Sequence, residues 1–196
     1  MELVTNILQM ALLAILVNNF ILTKFLGLCP YLGVSKRLDS AFGMGMAVLF
    51  VMTLASSITW IINTFLLTPF SLEYLQTITF ILTIASIVQF VETVLQKQTP
   101  ELYKQLGIFL PLLTTNCAIL GVALINVDEK AYNFFQSTLN GFLSGIGYAL
   151  VLLLMAGIRE KLEKSDVPNY MKGMPIALVV AGCMALAFLG FSGMVF

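Results

Sequence analysis

An all-α integral membrane protein with six transmembrane helices in a 3+3 inverted repeat is the fold class this chain predicts. Three observations carry that expectation. Only 10% of the 196 residues are charged and 59% are hydrophobic, whereas a soluble domain carries about a quarter charged residues. Apolar runs long enough for a bilayer crossing, roughly 20 residues each, recur along the chain. A short motif, Cys-x-x-Leu-Gly-Val, occurs twice, at Cys29–Val34 and at Cys117–Val122. Stretches of alternating polar and apolar residues do not recur, which argues against a β-barrel.

The spans fall at about 4–25, 41–66, 73–95, 103–125, 134–157 and 173–195, each roughly one bilayer crossing long. Polar punctuation separates them. Ser35-Lys36-Arg37-Leu38-Asp39-Ser40 follows the first span and Thr68-Pro69-Phe70-Ser71 the second. Lys97-Gln98-Thr99-Pro100-Glu101 follows the third and Asn126-Val127-Asp128-Glu129-Lys130 the fourth. The longest connection begins at Arg159 and ends at Pro168. Met1-Glu2-Leu3-Val4 lacks a basic region and a small-residue cleavage site, so it reads as the start of a retained first helix. The whole chain, 1–196, reads as one membrane domain with pseudo-repeats at about 1–95 and 103–196.

The distribution of cations sets the expected orientation. Lys36, Arg37, Lys97, Lys104, Arg159, Lys161, Lys164 and Lys172 all lie in connections 1–2, 3–4 and 5–6. The opposite side holds Lys130 alone. The positive-inside rule then puts the eight-charge side in the cytoplasm and both termini on the outer face.

Sliding the sequence by 88 aligns Leu22 with Leu110 and Cys29 with Cys117. Sliding it by 102 aligns Gly43, Gly45 and Ala47 with Gly145, Gly147 and Ala149. Three spans per half is an odd number, so the second half enters the membrane from the opposite side. The four glycines read as sites of close helix packing.

Chemistry concentrates at the two cysteine motifs. Histidine is absent, which removes a Ser-His nucleophile and any His-ligated zinc site. The formal net charge is zero, which argues against nucleic acid. Three cysteines are too few for a disulfide framework. Gly27 and Pro30 flank Cys29, and Pro111 with Thr114-Thr115-Asn116 precedes Cys117; both settings disfavour continuous helix. Irregular backbone at membrane depth is tolerated where protein buries it or where it lines a cavity. Helices 1 and 4 are therefore expected to break near Cys29 and Cys117 and to present both thiols.

Two thiolates are half of a four-cysteine iron–sulfur or zinc site. A second copy or a homologous subunit would supply the other pair. On the residues alone, Cys29 and Cys117 read equally as ligands or as small packing residues, and a disulfide between them is a further alternative. Cys183 reads as a buried small hydrophobe. Asn18, Asn19, Lys24, Asn63, Gln89, Glu92 and Asn140 are the other polar residues inside the spans. Lys24 and Glu92 read as snorkelling side chains at cytoplasmic span ends, with an ion path as the alternative. The basic 5–6 connection reads as the orientation signal, with docking of a cytoplasmic partner as the alternative.

Several long strings resemble the A-type membrane subunit of Rnf complexes. They are Asn18-Asn19-Phe20, then Phe25 through Lys36 (FLGLCPYLGVSK), and Leu106 through Ala118 (LGIFLPLLTTNCA). Gln89-Phe90-x-Glu92, Asp166-Val167-Pro168 and Leu186 through Gly193 are similar too. The resemblance covers essentially the whole chain. The related sodium-pumping NADH:quinone reductase subunits share the six-span pattern, but Cys29-Pro30 and Thr114-Thr115-Asn116-Cys117 look more like the Rnf subunit.

The resemblance implies a bacterial inner-membrane complex that passes electrons between reduced ferredoxin and NAD and moves Na⁺ or H⁺. It implies a homologous membrane partner, the E-type subunit of such complexes, and a [2Fe–2S] cluster shared between the two, for which Cys29 and Cys117 are this chain's iron ligands. Ferredoxin and NAD would act at other subunits, so this chain would hold no complete active site. Two other classes compete: an inverted-repeat secondary transporter, and a structural scaffold subunit without a cofactor.

Overall fold

A computed structural model describes residues 9–70, 73–98, 110–127, 132–166, 168 and 170–193. Among these the protein is all-helical, with no strand. Helix α1 covers residues 9–17 and ends in the π-turn Leu13–Val17; α2 is Leu28–Val34. Helix α3, Leu38–Ile62, continues through the π-turn Asn63–Leu67 into Thr68–Phe70. Then follow α4 (Gln76–Gln98), α5 (Leu110–Thr114), α6 (Cys117–Val127), α7 (Phe134–Glu163) and α8 (Met174–Leu189).

Among the described residues, three apolar helices are long enough to cross a bilayer: Leu38–Leu67, Gln76–Val94 and Phe134–Glu163. Two shorter apolar stretches, Pro111–Val127 and Met174–Leu189, accompany them. Of the sequence motifs, Leu106–Phe109 and Val167 lie outside the described residues, as do Lys104 and Lys130 of the charge count.

Antiparallel α3 and α7 form the centre. Gly45 lies against Ala149, Gly145 against Leu49, and Gly141 against Ser56 and Met52. Ser57 and Thr138 share a hydroxyl hydrogen bond at 3.0 Å. On α7 the contacting residues Ser137, Gly141, Gly145 and Ala149 recur every fourth position, so one flat strip of the helix meets α3. A Cβ on Gly145 would stand 2.9 Å from the Leu49 Cα, and backbone cannot swing aside as a side-chain tip can. Close approach of this kind replaces the hydrophobic driving force that lipid does not supply. Around the seam Met44, Val48, Met52, Ile119, Tyr148, Leu152 and Met155 are fully buried.

The outer surfaces are apolar. Phe42, Met46 and Phe50, one turn apart on α3, are exposed, as are Ile78, Ile81, Leu82 and Phe90 on α4. Such faces suit acyl chains and would be a liability in water. The hydroxyls of Thr79, Thr83, Ser86 and Thr93 on α4 each donate to the carbonyl four residues back. Each of these donors is thereby satisfied within the helix, without help from lipid.

Helix α7 begins on a capping box between Asn133 and Gln136. It runs six residues beyond the expected span end at 157, to Glu163. Arg, Glu, Lys and Leu are good helix formers, so Arg159-Glu160-Lys161-Leu162-Glu163 continues the helix where a loop was expected. Arg159 is accordingly a helical residue, 7% exposed. Its Nη1 donates to the Leu32 carbonyl and to Ser35 Oγ, both at 2.8 Å.

Candidate functional site

Both cysteine motifs start new helices after an interruption. After α1, the Asn18 N–H bonds back to the Leu13 carbonyl at 2.7 Å and the chain leaves the helix. Asn19, buried, pins the turn: Nδ2 donates to the carbonyls of Ile15 and Gly147, and Oδ1 accepts the Ile21 N–H. The segment closes with Phe25 at φ 55° and Gly27 at φ 81°. A Cβ on Gly27 would lie 2.7 Å from Tyr148 Cε2 and 3.0 Å from Asn116 Oδ1, so both space and backbone favour glycine.

The second interruption is shorter. After α5 the Thr115 N–H bonds the Pro111 carbonyl and the Asn116 N–H the Leu113 carbonyl. Asn116 Oδ1 then accepts the Ala118 N–H at 3.1 Å, capping the start of α6. Both interruptions thus use a buried asparagine whose Oδ1 takes the N–H two residues on. Asn116 Nδ2, also buried, has no hydrogen-bond partner among the described residues.

These turns bring the motifs together. Cys29 is the second residue of α2 and Cys117 the first of α6. The Gly27 N–H donates to Cys117 Sγ at 2.9 Å, and the Tyr148 hydroxyl donates to the Gly27 carbonyl at 3.1 Å. Both cysteines lie within electrostatic reach of that hydroxyl. Both are free thiols and exposed at the surface of the chain, so no disulfide joins them. Tyr148 stands near the middle of the 30-residue α7, about 21 Å from either end at 1.5 Å per residue.

The donor set fits half of a thiolate-bound metal group. Two thiols converge and face outward, and one already accepts a backbone N–H, the bond a thiolate strengthens. The first turn of α6 adds the positive end of a helix dipole beside Cys117. No group of three or more Cys, Asp or Glu able to hold a metal ion exists among the described residues. The chain's three cysteines are one short of a four-cysteine site, so a site of that kind would draw on another chain.

Other candidates land elsewhere. Cys183 is exposed on α8, not the buried hydrophobe expected of it. Lys24, exposed in the irregular segment between α1 and α2, lines a cavity of about 80 Å³ with Asn18, Phe20, Asn140 and Ser144. Ser144 Oγ, buried in that cavity wall, lacks a partner among the described residues. Glu92 is half-buried on α4, Gln89 is exposed, and the Asn63 carbonyl accepts the Thr68 hydroxyl.

A second polar cluster was not anticipated from the sequence. Asn140 Nδ2 donates to Asn126 Oδ1 at 2.6 Å, and Asn126 Nδ2 donates to the Ser137 carbonyl at 3.2 Å and to Ser56 Oγ at 3.4 Å. Asn140 alone of these stands out by its place in a span. Tyr148 was missed as well, although a hydroxyl in mid-span was the available signal.

Residues 7–195 match the family described as "Rnf-Nqr subunit, membrane protein". The chain belongs to this family. Over 181 residues it is 61% identical to the A-type subunit of the ion-translocating oxidoreductase complex of Serratia proteamaculans, covering 92% of this chain and 93% of that one. It is 58% identical over 181 residues to the A-type subunit of the Na⁺-translocating ferredoxin:NAD⁺ oxidoreductase complex of Acetobacterium woodii, covering 92% and 94%. The corresponding ion-translocating oxidoreductase subunit of Edwardsiella ictaluri is 56% identical over 191 residues, covering 97% and 98%. An Rnf-Nqr membrane subunit with this set of apolar helices is a multi-pass membrane protein.

Proposed function

We propose that this chain is the electron-relaying A-type subunit of an ion-translocating ferredoxin:NAD oxidoreductase in the bacterial inner membrane. In this reading Cys29 and Cys117 are two of the four thiolate ligands of an intramembrane [2Fe–2S] cluster. The homologous E-type subunit brings the other pair, and the remaining subunits handle ferredoxin and NAD. The observation that carries the reading is the convergence of two outward-facing thiols beside the midpoint of α7.

When bound, such a cluster supplies a one-electron carrier at that depth. This chain's residues prepare the place. Cys29 and Cys117 ligate as thiolates, and the Gly27 N–H with the amides opening α6 offsets negative charge that a low-dielectric interior disfavours. Tyr148 holds the carbonyl of Gly27, the residue whose N–H meets Cys117 Sγ. Leu26, Leu28 and Ile119 pack around the turns and exclude water. The antiparallel α3–α7 seam is what two inverted halves would place at their pseudo-axis, with both termini outward.

Coupling to Na⁺ or H⁺ is part of the proposal. Both thiols stand in the first turn of a helix that follows an interruption, so a change of charge there acts directly on the interrupted segments and can gate ion passage. A second reading, an inverted-repeat secondary transporter, draws on the polar cavity of Asn18, Lys24, Asn140 and Ser144. The Cys29→Ser/Cys117→Ser double variant separates the two in inverted membrane vesicles. Electron relay predicts loss of ferredoxin-to-NAD electron transfer together with ion uptake, in a complex that still assembles. Persistence of both activities would favour the transporter or a cofactor-free scaffold.

A further inference from the structure

Where α7 ends and α8 begins, on the side the cation count assigns to the cytoplasm, lies a cavity of about 260 Å³. Arg159, Leu162, Glu163, Lys172, Gly173 and Ile176 line it. Its volume is several times the ~30 Å³ share of one water, so it has room for a polar headgroup. Arg159 is the unusual member. A guanidinium 7% exposed carries a large desolvation cost. Its two bonds, to the Leu32 carbonyl and Ser35 Oγ, end on neutral oxygens. Neither neutralises the charge.

The other walls add to the same sign. Lys172 is exposed at the rim. Gly173, at φ 96°, caps the start of the 16-residue α8, whose first turn contributes a partial positive charge. Glu163 is the one carboxylate among the lining residues, against two full cations. The surroundings are apolar. Leu162 and Ile176 line the cavity itself, and Met174 and Leu178 are exposed on the adjoining turns of α8. Tyr170 is exposed beside them, where an aromatic with a polar tip suits the membrane–water boundary.

We infer that this cavity binds the phosphate of an anionic phospholipid of the inner leaflet, with Arg159 and Lys172 as its ligands and Met174 and Leu178 along its acyl chain. Basic pockets between transmembrane helices on the cytoplasmic side take headgroups in this way. A fork of N–H donors suits a phosphate diester better than a solvated ion that brings no apolar part. The bound lipid would compensate the buried guanidinium and stiffen the joint between α2, α7 and α8. Arg159 ties α2, which carries Cys29, to that joint.

The test uses the whole complex, stripped of lipid in mild detergent. It is titrated separately with cardiolipin, phosphatidylglycerol, phosphatidylethanolamine and inorganic phosphate, with bound species read by native mass spectrometry. Anionic lipid should be retained on this chain at least about tenfold better than phosphatidylethanolamine. Lys172→Glu should remove most of that preference, and Arg159→Gln should do so too. Lys172 is exposed and replaceable without disturbing the fold, so loss in that variant is not a folding failure. Unchanged lipid retention in Lys172→Glu would overturn the inference. So would displacement of the lipid by millimolar inorganic phosphate, which would make free phosphate the ligand. A photocrosslinker at Tyr170 should yield lipid adducts; an adduct with an acidic segment of a neighbouring protein of the complex would overturn it as well.

Discussion

The Gly27 N–H donates to the Sγ of Cys117 at 2.9 Å, joining two residues 90 apart in the chain. This bond links the two cysteine turns, and a glycine makes it because no larger residue fits between Tyr148 and Asn116.

Gly27→Ala should therefore damage both turns together. The variant combines a left-handed backbone, worth about 1–2 kcal/mol for a residue with a Cβ, with the overlap against Tyr148. Thermal unfolding of the purified complex should show a lowered Tm, and iron per complex should fall in parallel. A variant that melts normally and retains its iron would mean that the turn re-forms without glycine.

Gly145→Leu should part α3 from α7. Its side chain would meet the Leu49 backbone, and overpacking of a closed interface costs about 1–3 kcal/mol. Gly182→Leu on α8 is the matched control, since a Cβ there meets nothing within 4 Å. Co-purification of the other subunits should fall for Gly145→Leu and hold for Gly182→Leu.

Asn126→Leu should expose the cost of an orphaned polar group. Asn140 Nδ2 and the Ser137 carbonyl would both lose a partner, at about 1–3 kcal/mol for each group left unsatisfied. The double variant Asn126→Leu/Asn140→Leu should cost less than the two single changes added together, because the second change removes the stranded donor. Additive shifts in Tm would show that the two amides act independently.

The all-helical membrane class was legible from charge depletion and long apolar runs, and the family from the strings around Cys29 and Cys117. Other features were hidden for physical reasons. Arg159 reads as a loop residue because charge ends the apolar run, yet its neighbours are good helix formers and α7 continues beneath it. The cavity that Lys24 lines with Asn140 and Ser144 follows the irregular segment that ends at Phe25 and Gly27, both at positive φ, and no local pattern joins residues so far apart in the chain. The partners of Asn126 lie up to 70 residues away on another helix, and no local pattern announces them. Gly141 gives no signal of its own because its role is set by Ser56 and Met52 opposite, not by its neighbours in sequence.

The Rnf-Nqr membership leaves the role of the two thiols as the claim most in need of a direct test. Iron content and electron paramagnetic resonance of the reduced, assembled complex, with Cys29→Ser and Cys117→Ser prepared separately, provide it. Each variant alone should lose the [2Fe–2S] signal of this site, since two ligands come from this chain, while Cys183→Ser should keep it. Full signal and iron in both single variants would contradict the assignment of Cys29 and Cys117 as cluster ligands.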